Sequence, residues 1–156
     1  MNTNPVWCPT VRCPAFRRFF ILLSLLFCLF ETRAAEFAVY DIYLDPNSEP
    51  VAAYQLKIWD KRAAIKIISV EGGEHPAFQK APYFDPKAIS RDIIKLAAFH
   101  AGTSDELPAR RTRVASLHVE IGPGLTPDLA IEVEAAARPG GNKITVQATL
   151  TKRETP

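Results

Sequence analysis

Residues 52–73 read Ala52-Ala-Tyr-Gln-Leu-Lys-Ile-Trp-Asp60-Lys-Arg-Ala-Ala-Ile65-Lys-Ile-Ile-Ser-Val70-Glu-Gly-Gly73. In the first half Tyr54, Leu56 and Ile58 alternate with Gln55 and Lys57. That two-residue period belongs to a strand with one dry and one wet face. Asp60, Lys61 and Arg62 interrupt it as a turn. The second run, Ile65 to Val70, is rich in β-branched residues, and its apolar parity changes between Ile67 and Ile68. A β-bulge, or a strand buried on both faces, accounts for such a change. Gly72 and Gly73 end the run.

The same reading extends in both directions. Upstream, Phe37 to Leu44 places Ala38, Tyr40, Ile42 and Leu44 on one face, and the Asp45-Pro46-Asn47-Ser48-Glu49-Pro50 segment stops it. Downstream lies Glu74 to Ser90, the longest irregular segment, with one short helical turn expected at Pro86 to Ser90. Ile93 to Phe99 is a strand with Ile94, Leu96 and Ala98 on one side and Lys95 on the other. After a turn at Gly102 to Pro108, Arg113 to Ile121 gives the clearest alternation in the chain. Ala115, Leu117, Val119 and Ile121 are expected to face inward, and Ser116, His118 and Glu120 outward. Gly122-Pro123-Gly124 separates this strand from Leu129-Ile131-Val133, which alternates with Glu132 and Glu134. Pro139-Gly140-Gly141-Asn142 leads into a last strand over Ile144 to Leu150.

No segment carries a sustained helical stripe, and turn signals recur throughout. The fold class is therefore all-β, an antiparallel two-sheet sandwich of seven strands, or eight to nine if the long loop holds short ones. With residues in that order, the chain resembles a known family. The runs Ala53 to Ile58, Ile65 to Gly73, Ile94 to Phe99 and Arg113 to Val119 are similar in order and spacing to cohesin domains, the modules of cellulosome scaffold proteins. The resemblance implies a jelly-roll sandwich related to some carbohydrate-binding modules, and a non-catalytic module that binds a protein partner.

The N-terminus has a different character. Met1 to Arg18 is polar with Arg12, Arg17 and Arg18, and Phe19 to Phe30 follows without a charge. As a helix, these twelve residues at about 1.5 Å each span only about 18 Å, short of the roughly 30 Å hydrocarbon core. The pattern is that of a secretory signal, with cleavage expected after Ala34 or Ala35 behind Thr32-Arg33. Arg17-Arg18 resembles a twin-arginine signal, but Phe16 stands where a Ser or Thr usually precedes the pair, which favours general secretion. Phe27 before Cys28 is too large for a lipoprotein site.

The expected organisation is thus a signal peptide over residues 1–34, a cohesin-like domain over 35–151 and a polar tail over 152–156. Such a chain is secreted or reaches the periplasm or cell envelope. All three cysteines, Cys8, Cys13 and Cys28, precede the cleavage site, so the mature domain is held by its core without disulfides. Removal of the leader leaves 15 basic and 16 acidic residues, which takes away the electrostatic motive for nucleic-acid binding. A monomer without a cofactor is expected.

The side chains that could carry chemistry are sparse. His75, His100 and His118 fall in a loop, at a strand end and on a polar strand face, as ordinary surface histidines do. No hydrolase or phosphate-binding motif occurs, and Asp45 to Glu49 reads as a turn because Pro50 stands where a calcium loop needs glycine. Arg110-Arg111-Thr112-Arg113 reads as a solvated loop. The remaining candidates for recognition are His75, Tyr83, Phe84 and Asp85 in the long loop, and Trp59 and Tyr43 on wet strand parities. Aromatic rings give contact area and His or Asp gives direction, as a binding surface requires. The partner is a protein or, as the alternative, a polysaccharide, with a hydrolase the weakest reading. At least three exposed rings on one sheet face would favour the glycan. Export predicts a mature N-terminus near Ala35, to be checked by N-terminal sequencing of extracytoplasmic protein; an intact Met1 in the membrane fraction would show an anchor instead.

Overall fold

The computed structural model describes residues 34–154, so the expected signal segment lies, but for Ala34, outside the described residues. Seven strands form two antiparallel sheets. They are β1 (Glu36–Asp45), β2 (Ala53–Asp60), β3 (Ile65–Gly72), β4 (Ile93–Phe99), β5 (Thr112–Ile121), β6 (Leu129–Ala137) and β7 (Gln147–Lys152). The four-stranded sheet has the order β3-β5-β1-β7 and the three-stranded sheet β4-β2-β6. Odd strands thus occupy one sheet and even strands the other. Each link in the chain crosses from one layer to the other, and no strand is laddered to its neighbour in sequence.

The expected alternation explains the core. Ile42, Leu44, Leu56, Ile58, Ile67, Ile94, Leu96, Leu117 and Val119 are all buried between the layers. Phe78, from the long loop, closes one part of this core edge-to-face on Tyr54, with centroids 5.1 Å apart. Burial pushes the Tyr54 phenol far above its ordinary pKa. The parity change in β3 is a bulge: pairing with β5 skips Ile68, whose side chain is left exposed.

Four details depart from the sequence reading. The run Ile144 to Leu150 is not one strand. Its first part stays with β6, where the Ile144 N–H donates to the Ala136 carbonyl at 3.0 Å, and the chain then crosses so that β7 pairs with β1 from Gln147. Val146, buried at the crossing, keeps the apolar alternation intact across the change of sheet. Ser116 does have outward parity but is completely buried, because Arg113 and Arg153 lie over it. His118 is half-buried, with Nε2 3.2 Å from Glu71. The long loop contains two single-turn 3-10 helices, Pro76–Phe78 and the expected Pro86–Ala88.

Crossing links need anchors, and Asp60 is the strongest. This buried carboxylate accepts from the N–H groups of Ala64 at 2.6 Å, Asp128 at 2.7 Å and Arg62 at 3.3 Å. Burial opposes its charge, but the backbone donors outweigh that cost and hold its pKa below the usual range. A carboxyl with a lowered folded pKa contributes stability above about pH 4, the unfolded value, and loses it as pH falls through the folded value. We therefore expect Asp60→Ala to cost about 3 kcal/mol in urea titrations and Asp60→Asn to flatten the acid limb below about pH 4. Leu117→Ala should cost about 2 to 5 kcal/mol through a core cavity. Wild-type stability in either variant would contradict these roles.

Candidate functional site

The outward positions of the three-stranded sheet build a shallow trough of about 370 Å³. Ala53 of β2 lies between Phe99 of β4 and Ala137 of β6, and Gln55 lies between Ala97 and Ala135. Ala53, Ala97, Ala135 and Ala137 consequently make a floor of methyl groups across three strands. A floor this flat lets a guest approach the sheet closely.

Its two sides come from segments that bind the sheet edges. On the β4 edge the Tyr83 N–H donates to the Ala97 carbonyl at 2.7 Å, and the Ala97 N–H returns a bond of 2.9 Å. This pair fixes the Tyr83 ring parallel to Phe99, with centroids 6.4 Å apart and planes 11° apart. Both rings stand in solvent, Tyr83 72% and Phe99 68% exposed. On the β6 edge Lys143 bridges to Ala137 after a turn at Gly140 and Gly141. Both glycines have positive φ, 86° and 82°, which a side chain would strain.

Beyond the apolar floor the face becomes polar. Glu134 is the extra residue of a β-bulge opposite Gln55 and Leu56, and it accepts hydrogen bonds from Lys95 and Gln55. These donors, Lys95 first, hold its pKa below the ordinary carboxylate value. Farther along, the Lys57 ammonium lies 5.0 Å from the centre of the Trp59 ring and partly covers it. Apolar floor, aromatic wall and charged margin thus follow one another along one sheet face.

The sequence candidates scatter around this arrangement. Tyr83 forms its wall, and Trp59 lies on the same face, half-buried. Tyr43 has outward parity on the other sheet, where the Arg111 guanidinium sits 3.8 Å from its ring centre. Phe84 packs against the core. His75 and Asp85 act as caps: His75 Nδ1 accepts from the Ala77 N–H at 3.2 Å and Asp85 from the Lys87 N–H at 2.9 Å. Phe99 and the alanines were absent from the sequence candidates. Parity alone could have found Phe99, since it shares the wet side of β4 with Lys95.

A second polar cluster decorates the four-stranded sheet. The Ser116 hydroxyl donates to Asp41 at 2.8 Å and accepts from Arg113 at 2.8 Å and Arg153 at 3.0 Å. Burial raises the Asp41 pKa, but the Arg153 and Ser116 hydrogen bonds prevail and lower it. With its proton and lone pairs committed, the hydroxyl ties β1, β5 and the residue after β7 together and is not poised as a nucleophile. Among the described residues, no group of three or more His, Cys, Asp or Glu could hold a metal ion. No helix among them is long and apolar enough to cross a membrane.

No protein-family model matches the sequence, and no curated protein matches it. Among solved structures, the chain is similar to one in the crystal structure of a type I cohesin–dockerin complex from Clostridium thermocellum. The TM-score is 0.52 at 16% identity, covering 73% of this chain and 84% of that one. At this identity the likeness is one of fold. The chain has the two-sheet antiparallel fold of a cohesin-like domain.

Proposed function

We propose that this chain is an exported, non-catalytic module that recognises a protein partner through the outer face of β4-β2-β6. The observation that carries the reading is the trough itself: an apolar methyl floor beside the exposed Tyr83–Phe99 pair, with Lys95, Glu134 and Gln55 at its margin. An apolar centre within a polar rim is the anatomy of a protein interface, and exposed aromatic anchors supply most of the binding energy in such surfaces. The similar solved structure is a complex between two protein modules, which supports the same class of partner. Export is supported by the charged leader and apolar run before Ala34.

The face favours protein over glycan. Tyr83 and Phe99 are strongly exposed on it, but Trp59 lies under Lys57, so the row of three open rings that a sugar chain would stack on is incomplete. The test is capture of secreted partners on the immobilised protein, run beside a glycan array. Phe99→Ala and Tyr83→Ala should each weaken capture roughly tenfold, whereas Tyr43→Ala on the other sheet should leave it unchanged. Glycan binding without protein capture, or equal capture by all three variants, would overturn the proposal.

A further inference from the structure

The four edge strands of the sandwich are not treated alike. At β3 the Ser90 N–H donates to the Ile67 carbonyl and the Ile67 N–H to the Arg91 carbonyl, both at 2.8 Å. At β4 the pair with Tyr83 occupies the edge at Ala97, and at β6 Lys143 and Ile144 cover its C-terminal end. Among the described residues, β7 has β1 on one side and no bonded neighbour on the other. The flank beside it is also incompletely closed. Ala148 and Leu150 of β7, with Leu129, Ile131 and Val133 of β6, are only partly buried against the core. On the opposite flank, Phe78, Phe84, Ala88 and Ile89 from the long loop fill that position.

Open edges are ordinarily defended by charge, proline or a bulge. Thr145-Val-Gln-Ala-Thr-Leu-Thr151 has no charge and no proline, and its pairing with β1 is regular from Gln147 to Lys152. Lys152, at the end, is already paired with Glu36 at 2.7 Å.

We infer that this edge joins a second copy of the same chain, β7 against β7 in antiparallel order about a two-fold axis at Thr149. In that register Thr149 faces Thr149 of the second copy, Gln147 faces Thr151 and Ala148 faces Leu150. Directly opposed residues in antiparallel strands share a sheet face, so the exposed Gln and Thr side chains meet on the outer face and the half-buried Ala and Leu side chains on the inner one. No like charges oppose each other, because Lys152 falls across from Val146. The strand is thus complementary to itself, which an isologous two-fold contact demands. It would extend the four-stranded sheet across both molecules and cover the half-exposed Leu150. This association is independent of the trough on the other sheet.

Sedimentation of the purified full chain, from micromolar to millimolar concentration, should show a monomer–dimer equilibrium in place of the monomer expected from the sequence. Hydrogen exchange should slow at the amides of Ala148 and Leu150, which face the free edge, as the dimer fills. Thr149→Lys, an exposed position, should weaken the dimer at least about fivefold by setting like charges across the axis, while Thr149→Val retains it. Unchanged unfolding midpoints will confirm that both variants fold. A monomer at every concentration would overturn the inference. So would a dimer that survives Thr149→Lys and leaves β7 exchange unchanged.

Discussion

A single buried carboxylate organises the side of the sandwich where β2 ends and β3, β4 and β6 begin. Asp60 closes β2, holds the link into β3 through Ala64 and Arg62, and fixes the approach to β6 through Asp128. The main chain reinforces it: Asp60 N–H donates to Asp92, just before β4, and Lys61 N–H to Asp128. An ionised group is costly to bury unless it is fully hydrogen-bonded, and backbone donors satisfy it without spending side-chain entropy. Ala63 adopts a positive φ of 49° inside this loop, a strain that the surrounding bonds sustain.

Such an anchor matters because the topology is so strongly non-local. With odd strands in one layer and even strands in the other, no tight hairpin joins two of the seven strands, and all ladders between them close long loops. Charged groups on the outer faces serve the same end. Asp41, Ser116, Arg113 and Arg153 link β1, β5 and the residue after β7, and the Arg153 N–H continues the bonding onto the Val39 carbonyl at 2.8 Å. The C-terminal residues through Arg153 are therefore integral to the fold.

The same topology makes the trough. Because β2 is central between β4 and β6, its small outward residue Ala53 is flanked by Phe99 and Ala137, both from segments far downstream in the sequence. Tyr83 joins them only because the long loop lays one residue along the β4 edge. Rigid strands thus hold the floor while loop residues supply the aromatic wall, a division that suits recognition.

The sequence by itself determined most strand positions, because a two-residue period survives wherever one face is dry, and it marked the parity change at Ile67 and Ile68 that the structure resolves as the β3 bulge. It also set the register of β5, with Leu117 at its centre. Only the tertiary structure decided which strands pair, since alternation says which face is buried and nothing about the neighbour. It split Ile144 to Leu150 between two sheets while leaving the period undisturbed. It buried Ser116 by bringing Arg113 and Arg153 over it, and turned His75 and Asp85 into caps. The trough was the least legible feature: alanines at wet parity carry no chemical signal singly, and they form a surface only when three strands distant in sequence set their methyl groups side by side.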